Sequence, residues 1–426
     1  MRRDFIKMCG LARLGFTVPF SRESAAGEKK KDEPYSGPFY VVFNASGGWD
    51  TTYLMDPKGI GGINRLYKEG DILTKGAHKF APIKKHAKGG MCNEDFYAEF
   101  GDELLTFNGL DYSVNNHSPG ARYMATGKLD SLAYPTFAAL VAACRGPECP
   151  LAFLTFGNYS ATGNLVAMSR VPYIQSLRRI ANADGVDGNE RSPFHDKFAL
   201  DRIEAALREE NASNAAQPRL PRAERGENML YAAQINSKAL ERVTQYIPKT
   251  IPKERLGQQA EIALASFKAG VCVSANLTIG QFDSHANNDP DQMKLIPEFL
   301  AGIAYFLRRA GELKIREQLV VVVQSEMGRT PNYNTGNGKD HWSIGSALFL
   351  GRGIKGNRAI GATDEKQFAV PLDPQTLKLD KEKGIRVRPE HIHEALREHA
   401  GVAEHPLAKK FPLGVTEKER LRGFWG

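Results

Sequence analysis

Two stretches late in the chain place groups suited to hydrolytic chemistry close together. Ser325-Glu326-Met327-Gly328-Arg329-Thr330 and Gly338-Lys339-Asp340-His341-Trp342 hold a carboxylate, a guanidinium and an Asp-His pair, all after one strongly apolar run. Charged groups there are costly unless paired, hydrated or bound to an ion. Either Arg329 and Glu326 form a salt bridge beside a structural His341, or these residues belong to a site. Upstream, Phe282-Asp283-Ser284-His285 sets an Asp and a His two residues apart. On an extended backbone the two project to the same side, so a carboxylate oxygen and an imidazole nitrogen can meet on one divalent ion.

Two earlier clusters add to these. In Asn115-Asn116-His117-Ser118-Pro119-Gly120 a proline stands just inside a helix start. Free backbone N–H groups then point at whatever lies beside His117, which is how helix N-termini hold anions; a lone His there also serves as a cap. In Asn44-Ala45-Ser46-Gly47-Gly48-Trp49-Asp50 two glycines permit a sharp turn and close approach to a ligand. Asp50 is either a metal ligand or the cap of the next helix.

The elements that must position these clusters are short apolar, β-branched runs: Phe39 to Phe43, Leu151 to Phe156, Val271 to Leu277, Leu319 to Val323 and Ala347 to Leu350. They read as buried strands. Between them lie helical patterns, the clearest from about Asp291 to Leu313 after the start signal Asp289-Pro290, others from about Gln258 to Lys268 and Pro389 to Ala400. Alternating strands and helices predict an α/β fold whose largely parallel sheet is covered by helices on both faces. Ligands of such sheets collect at the carboxyl ends of the strands, where all four clusters fall. Residues from about 180 to 230 are polar and rich in breakers, and read as a helical and loop insertion at the surface.

At 426 residues, with ordinary apolar and charged fractions, the chain can bury a large core. Its first residues, Met1-Arg2-Arg3-Asp4-Phe5-Ile6-Lys7, are similar to a twin-arginine export signal, with Met1 where Ser or Thr usually precedes the pair. The apolar segment Met8 to Phe20 carries Arg13 and falls short of the roughly 18 to 20 residues of a membrane span. Ser24-Ala25-Ala26 offers a cleavage site. The expected organisation is a signal over 1–26, a flexible mature start over 27–37 and one α/β domain over 38–426. The signal holds five basic and two acidic side chains, so its removal takes the net charge from +8 to +5. That balance suits adsorption to anionic polymers, and no basic run interleaved with aromatics points to nucleic acid. Beyond Cys9, the even set Cys92, Cys144, Cys149 and Cys272 fits an oxidising compartment. Cys144 and Cys149 bracket a turn and either form a local disulfide or remain separate buried thiols.

With its clusters in this order, the chain resembles a large bacterial family, the domain of unknown function 1501, many members of which begin with twin-arginine signals. The resemblance rests on Val321-Val322-Val323-Gln324-Ser325-Glu326-Met327-Gly328-Arg329-Thr330-Pro331, Gly338-Lys339-Asp340-His341-Trp342, and Gly353-Ile354-Lys355-Gly356 to Gly361-Ala362-Thr363-Asp364. Gly47-Gly48-Trp49-Asp50 and Phe282-Asp283-Ser284-His285 also fit, and Met327 replaces the family's usual Phe. The likeness runs from about 38 to 365 without the middle insertion.

That family is distantly similar to alkaline phosphatases and sulfatases, which split phosphate or sulfate esters with two metal sites and a nucleophile at a helix N-terminus. The resemblance implies an alkaline phosphatase-like fold with Asp283, His285 and His341 as ligands of one metal site. Three ligands plus water is a catalytic pattern. Glu326 and Met327 stand where an Asp-His pair would hold a second metal, and Asn44 stands where a strand-end Asp is expected. The second site is therefore degraded unless Asp50 and Glu326 rebuild it. His117-Ser118-Pro119 with Thr126-Gly127 fits the sulfatase frame Cys-x-Pro followed by Thr-Gly. His117, at the nucleophile's place, is then a phosphorylated or sulfated carrier, a ligand, or a mark of lost ester chemistry. Ser118 is the substitute nucleophile, and Arg122 or Arg329 pairs with a substrate oxyanion.

The leading expectation is a periplasmic or secreted hydrolase of phosphate or sulfate esters, exported folded by the twin-arginine machinery. It would use a divalent metal, zinc, manganese or calcium, with Glu326 as ligand or general base. Its partner would be an anionic ester or a cell-surface polymer, with no nucleic acid and no membrane span in the mature chain. The competing expectation is a non-catalytic binding or assembly protein that keeps the fold. A third, a carbohydrate binder, uses Trp49, Trp342 and Tyr333 as stacking platforms.

Overall fold

The computed structural model of the chain describes residues 34–84, 89–171 and 242–426, with scattered positions between 173 and 213. The expected export signal and, apart from those positions, the expected insertion lie outside the described residues. In chain order the described strands are β1 (Phe39–Ala45), β2 (Leu73–Lys75), β3 (His78–Phe80), β4 (Leu105–Asp111), β5 (Phe153–Thr155), β6 (Met168–Ser169), β7 (Ser274–Ile279), β8 (Leu319–Gln324), β9 (Gly328–Arg329), β10 (His341–Trp342), β11 (Ile344–Gly351) and β12 (Arg358–Ile360). The longer helices are α1 (Asn93–Phe100), α2 (His117–Thr126), α3 (Phe137–Arg145), α4 (Arg255–Lys268), α5 (Asn288–Glu312) and α6 (Pro389–His399).

Eight strands form one sheet in the order β12-β4-β11-β8-β1-β7-β5-β6. β1 is parallel to β7 and β8, and β5 to β6 and β7. β12 is parallel to β4, and only β11 runs against its two neighbours. This is the largely parallel α/β sheet that the sequence predicts. Its two faces are legible in β1, every residue of which is buried. Phe39, Val41 and Phe43 enter a core shared with α4 and α5, while Tyr40 and Val42 enter a second core shared with α3 and α6. A period of two on a strand buried from both sides produces that division. Phe43, for example, packs its ring 5.2 Å from that of Phe306 on α5.

Several expectations shift in detail. The strand expected at Val271 begins at Ser274, and the helix expected at Asp291 starts three residues earlier, at Asn288. β4 has the interrupted sequence Leu-Thr-Phe-Asn-Gly-Leu-Asp and was invisible as an apolar run, yet it is an interior strand of the sheet, paired on both sides. Cys144 and Cys149 remain separate thiols, and burial pushes the Cys144 thiol up to about 12. Among the described residues no helix is long and apolar enough to cross a membrane.

Beneath the clustered loops lies a buried ion pair. Lys339 Nζ stands 2.7 Å from Asp50 Oδ2, with both side chains fully buried. Asn288 Nδ2, at the start of α5, donates to the same oxygen at 3.1 Å. Asp50 Oδ1 accepts from Thr52 N at 3.1 Å and Thr52 Oγ1 at 2.6 Å, capping the short helical turn Thr51–Tyr53. The pair thus ties the loop after β1 to α5 and to the segment that carries His341. Lys339→Met leaves the Asp50 charge buried and unpaired, and is expected to cost about 3–5 kcal/mol of stability. Urea unfolding measures this, and a loss below about 1 kcal/mol would show the pair to be dispensable.

Candidate metal centre

Neighbouring strands β4, β11, β8, β1 and β7 bring the four clusters to one edge of the sheet. β4, β8, β1 and β7 end there and release the loops to His117, Glu326, Gly47 and Asp283. β11 runs the other way, so it begins at that edge, and His341 stands just before it. His117 opens α2, which follows β4.

Four side chains converge. His285 Nε2 lies 2.9 Å from His341 Nε2, and Asp283 Oδ1 lies 3.1 Å from the first and 3.3 Å from the second. On the other carboxylate oxygen, Asp283 Oδ2, His117 Nε2 lies at 3.3 Å. His117, Asp283 and His341 each offer a ligand atom within 4.8 Å of the others. Tetrahedral ligands at zinc bond lengths would stand about 3.3 Å apart.

The outer ring nitrogens decide what these contacts mean. His285 Nδ1 donates to Asp340 Oδ1 at 2.8 Å, His341 Nδ1 to the Asn115 carbonyl at 2.8 Å, and His117 Nδ1 to Glu326 Oε1 at 3.1 Å. Carboxylates and carbonyls only accept, so each Nδ1 carries the hydrogen, and in its neutral form each ring would turn a bare Nε2 lone pair inward. Electron-rich nitrogen and oxygen atoms at 2.9 to 3.3 Å need a cation, a proton or a metal ion, among them. Imidazoles fixed through their outer nitrogens are also the usual support of metal ligands.

Two of the supporting groups, Arg329 and Glu326, are buried. Arg329 donates from Nε to the Gly48 carbonyl at 2.8 Å, from Nη1 to the Lys339 carbonyl at 3.1 Å, and from Nη2 to Asp283 Oδ1 at 2.7 Å and to the Gly47 carbonyl. Glu326 Oε1 also accepts the Gly47 N–H at 2.6 Å. Gly47 has φ +118°, and a Cβ there would lie 2.6 Å from the Asp283 nitrogen. Only glycine lets the β1 loop pass so close to the Asp283 loop. Burial alone would raise the Asp283 pKa, but the hydrogen bond and charge of Arg329, helped by His117 and His285, hold it at about 2. The hydrogen bond to Glu326 raises the His117 pKa against the effect of burial, and the bond to His285 lowers that of Asp340.

Asp283, His285, His341 and His117 are therefore brought together. Asp50 stands apart from them as a cap, with both oxygens already engaged by Lys339, Asn288 and Thr52. Arg329 is fully buried and spent on carbonyls and Asp283, which corrects the expectation that it meets a substrate oxyanion. Glu326, 3% exposed, stands behind His117 as its support. Ser118 is exposed on α2, and no hydrogen bond among the described residues links its hydroxyl to a base. Of the expected carbohydrate platforms Trp49 is buried, the Tyr333 ring centroid has Arg65 at 3.9 Å and Lys339 at 5.1 Å, and the half-buried Trp342 donates from Nε1 to the Gln367 carbonyl at 2.9 Å and packs on Phe368. The supporting role of Asp340 and of the Asn115 carbonyl was missed. Asp340 is the neighbour of His341 in sequence but the partner of His285 in space.

A family described as "Protein of unknown function (DUF1501)" matches residues 41–378. No curated protein matches the chain in sequence. Solved structures to which it is similar include a sulfatase from Pseudoalteromonas sp., 8% identical over 88% of this chain and 69% of that one, with a TM-score of 0.40. The lipoteichoic acid synthase of Listeria monocytogenes is 8% identical over 92% and 77%, at 0.38. A phosphonate monoester hydrolase of Agrobacterium radiobacter is 9% identical over 87% and 74%, at 0.33. The fold assignment rests on the sheet order and strand directions, since likenesses this distant say nothing of the site.

The Asp283 environment has a pH signature. Its pKa of about 2 lies below the roughly 3.9 of an unfolded Asp, so Asp283 contributes stability that is present above about pH 4 and is lost as pH falls toward 2. In chelator, the stability difference between wild type and Asp283→Asn is expected to narrow as unfolding is followed from pH 5 down to pH 2. A difference independent of pH would show that Arg329 does not hold the carboxylate.

Proposed function

This chain belongs to the DUF1501 family of proteins of unknown function, and from that premise we propose that it is an exported hydrolase of phosphate or sulfate esters that works with one divalent metal ion. One observation carries the reading: two Nε2 lone pairs and a carboxylate oxygen face one another at 2.9 to 3.3 Å while both outer ring nitrogens are fixed by acceptors. Asp283, His285 and His341 hold the ion, and His117 stands next to them on the second oxygen of Asp283. A donor set rich in imidazole suits zinc better than manganese, which favours oxygen donors, and disfavours calcium, which takes six to eight oxygens.

A bound divalent ion supplies Lewis acidity toward the ester oxygens. The chain's own residues do the rest. Arg329 keeps Asp283 ionised, Asp340 and Glu326 orient His285 and His117, and the His117 and Ser118 N–H groups that open α2 are available to ester oxygens. Asp283 and His285 are nearly half exposed, which admits a bulky anionic ester or polymer. The paired arginines at positions 2 and 3 support export through the twin-arginine machinery to the periplasm or beyond.

A binding or assembly role is the second reading. It is favoured by Asn44, whose side chain is spent on the Leu277 carbonyl and on Gln324 where a second metal site would need a carboxylate, and by a Ser118 without a base. Protein from residue 27 onward is expected to carry about one equivalent of zinc or manganese by elemental analysis. His341→Ala and Asp283→Ala lose the metal together with hydrolysis of p-nitrophenyl phosphate or sulfate, by roughly a hundredfold or more, the scale of several kcal/mol of lost Lewis acidity. A wild type that stays metal-free after reconstitution sinks the hydrolase and favours the binding role.

A further inference from the structure

Behind His117 two buried polar atoms lack partners. Glu326 Oε2 and the Tyr112 hydroxyl each make no hydrogen bond among the described residues, although Tyr112 is fully buried and Glu326 is 3% exposed. The other Glu326 oxygen is fully engaged by the Gly47 N–H and His117 Nδ1. Leaving a buried donor and a buried acceptor unmatched costs about 1–3 kcal/mol each.

The backbone explains how the two residues come near one another, near enough for the Glu326 charge to act on the phenol. Tyr112 follows β4 and is held there by its N–H, which donates to the Ser343 carbonyl at 2.8 Å. Glu326 follows β8, and β11 lies between the two strands. At the crossing β11 has Gly345, where a Cβ would lie 2.7 Å from the Tyr112 ring and 2.8 Å from its hydroxyl. A glycine there leaves the room that the phenol and its hydroxyl occupy. Burial pushes the phenol pKa well up and the Glu326 charge adds to it, so Tyr112 stays protonated as a donor. One water between a donor and an acceptor in a closed polar site satisfies both.

We propose that Tyr112 is a positioning residue of the metal centre: joined to Glu326 Oε2 through one water, it fixes the carboxylate whose other oxygen orients His117. The proposal rests on the metal-centre part of that reading, and the kinetic arm of its test rests on ester hydrolysis as well. Tyr112→Phe keeps the ring and removes the hydroxyl, while Gly345→Ala pushes the hydroxyl aside with Tyr112 intact. In zinc-loaded full-length protein labelled with nitrogen-15 histidine, both variants are expected to move the His117 Nδ1–H resonance away from its wild-type position. His117→Gln identifies that signal, and the metal content of Tyr112→Phe and Gly345→Ala stays that of the wild type. With p-nitrophenyl phosphate or sulfate, kcat is expected to fall about tenfold, the scale of a lost outer-shell partner, with KM within twofold.

A His117 resonance left in place by Tyr112→Phe overturns the proposal, whatever the kinetics. If the loaded wild type splits neither ester, the hydrolase reading fails by itself, and the resonance still decides the role of Tyr112. Should Gly345→Ala not fold, Tyr112→Phe carries the decision alone.

Discussion

The site depends on one buried guanidinium. Arg329 donates to the carbonyls of Gly47, Gly48 and Lys339 and to the carboxylate of Asp283, so three loops from separate parts of the sequence meet on a single group. Removing a cation from water is expensive, and only a full set of acceptors offsets it. That demand accounts for the glycine pair, because residues 47 and 48 adopt positive φ and both present their carbonyls to Arg329. A lysine, with a compact charge and no planar fork, could not span the same acceptors. Arg329 thereby sets where Asp283 stands and keeps it charged.

Burial then divides chemically similar groups into different roles. Asp50, fully buried and matched by Lys339, is a strut. Asp283, partly exposed and matched on one oxygen by Arg329, keeps its second oxygen turned toward His117. Glu326 and Asp340 each take the Nδ1 hydrogen of one histidine and so turn the far nitrogen inward. The inward atoms are held by groups outside the cluster, so little reorganisation would be needed to admit a cation. Preorganised ligands of this kind are what a catalytic or binding metal requires. Asn44 and Gln324, bonded to each other at the ends of β1 and β8, fill the ground beside it with neutral amides.

How much of this was legible in sequence follows from what each signal depends on. Apolar runs and their period report burial along one segment, so β1, β8, α4 and α5 were readable, as was the placement of the polar clusters at strand ends. β4 was not, because Asn108 and Gly109 interrupt its pattern and only its neighbours β11 and β12 make it a strand. The Asp-x-His spacing of Asp283 and His285 was likewise a local matter, and it named two of the converging groups.

Charge pairing is a matter of distance in space, and spacing along the chain says nothing of it. Arg329 and Glu326 are three residues apart and suggest a salt bridge, yet the strand turn sends one to Asp283 and the other to His117. Asp340 and His341 are adjacent but face different partners, and Asp50 resembles a ligand until Lys339, 289 positions away, is found on its oxygen. The sequence by itself determined which residue types stand at the ends of which strands, since that follows from local burial and turn chemistry. Only the tertiary structure decided which of those charges are spent on each other and which gather with the histidines in one cluster, because that depends on the order and direction in which the strands pair.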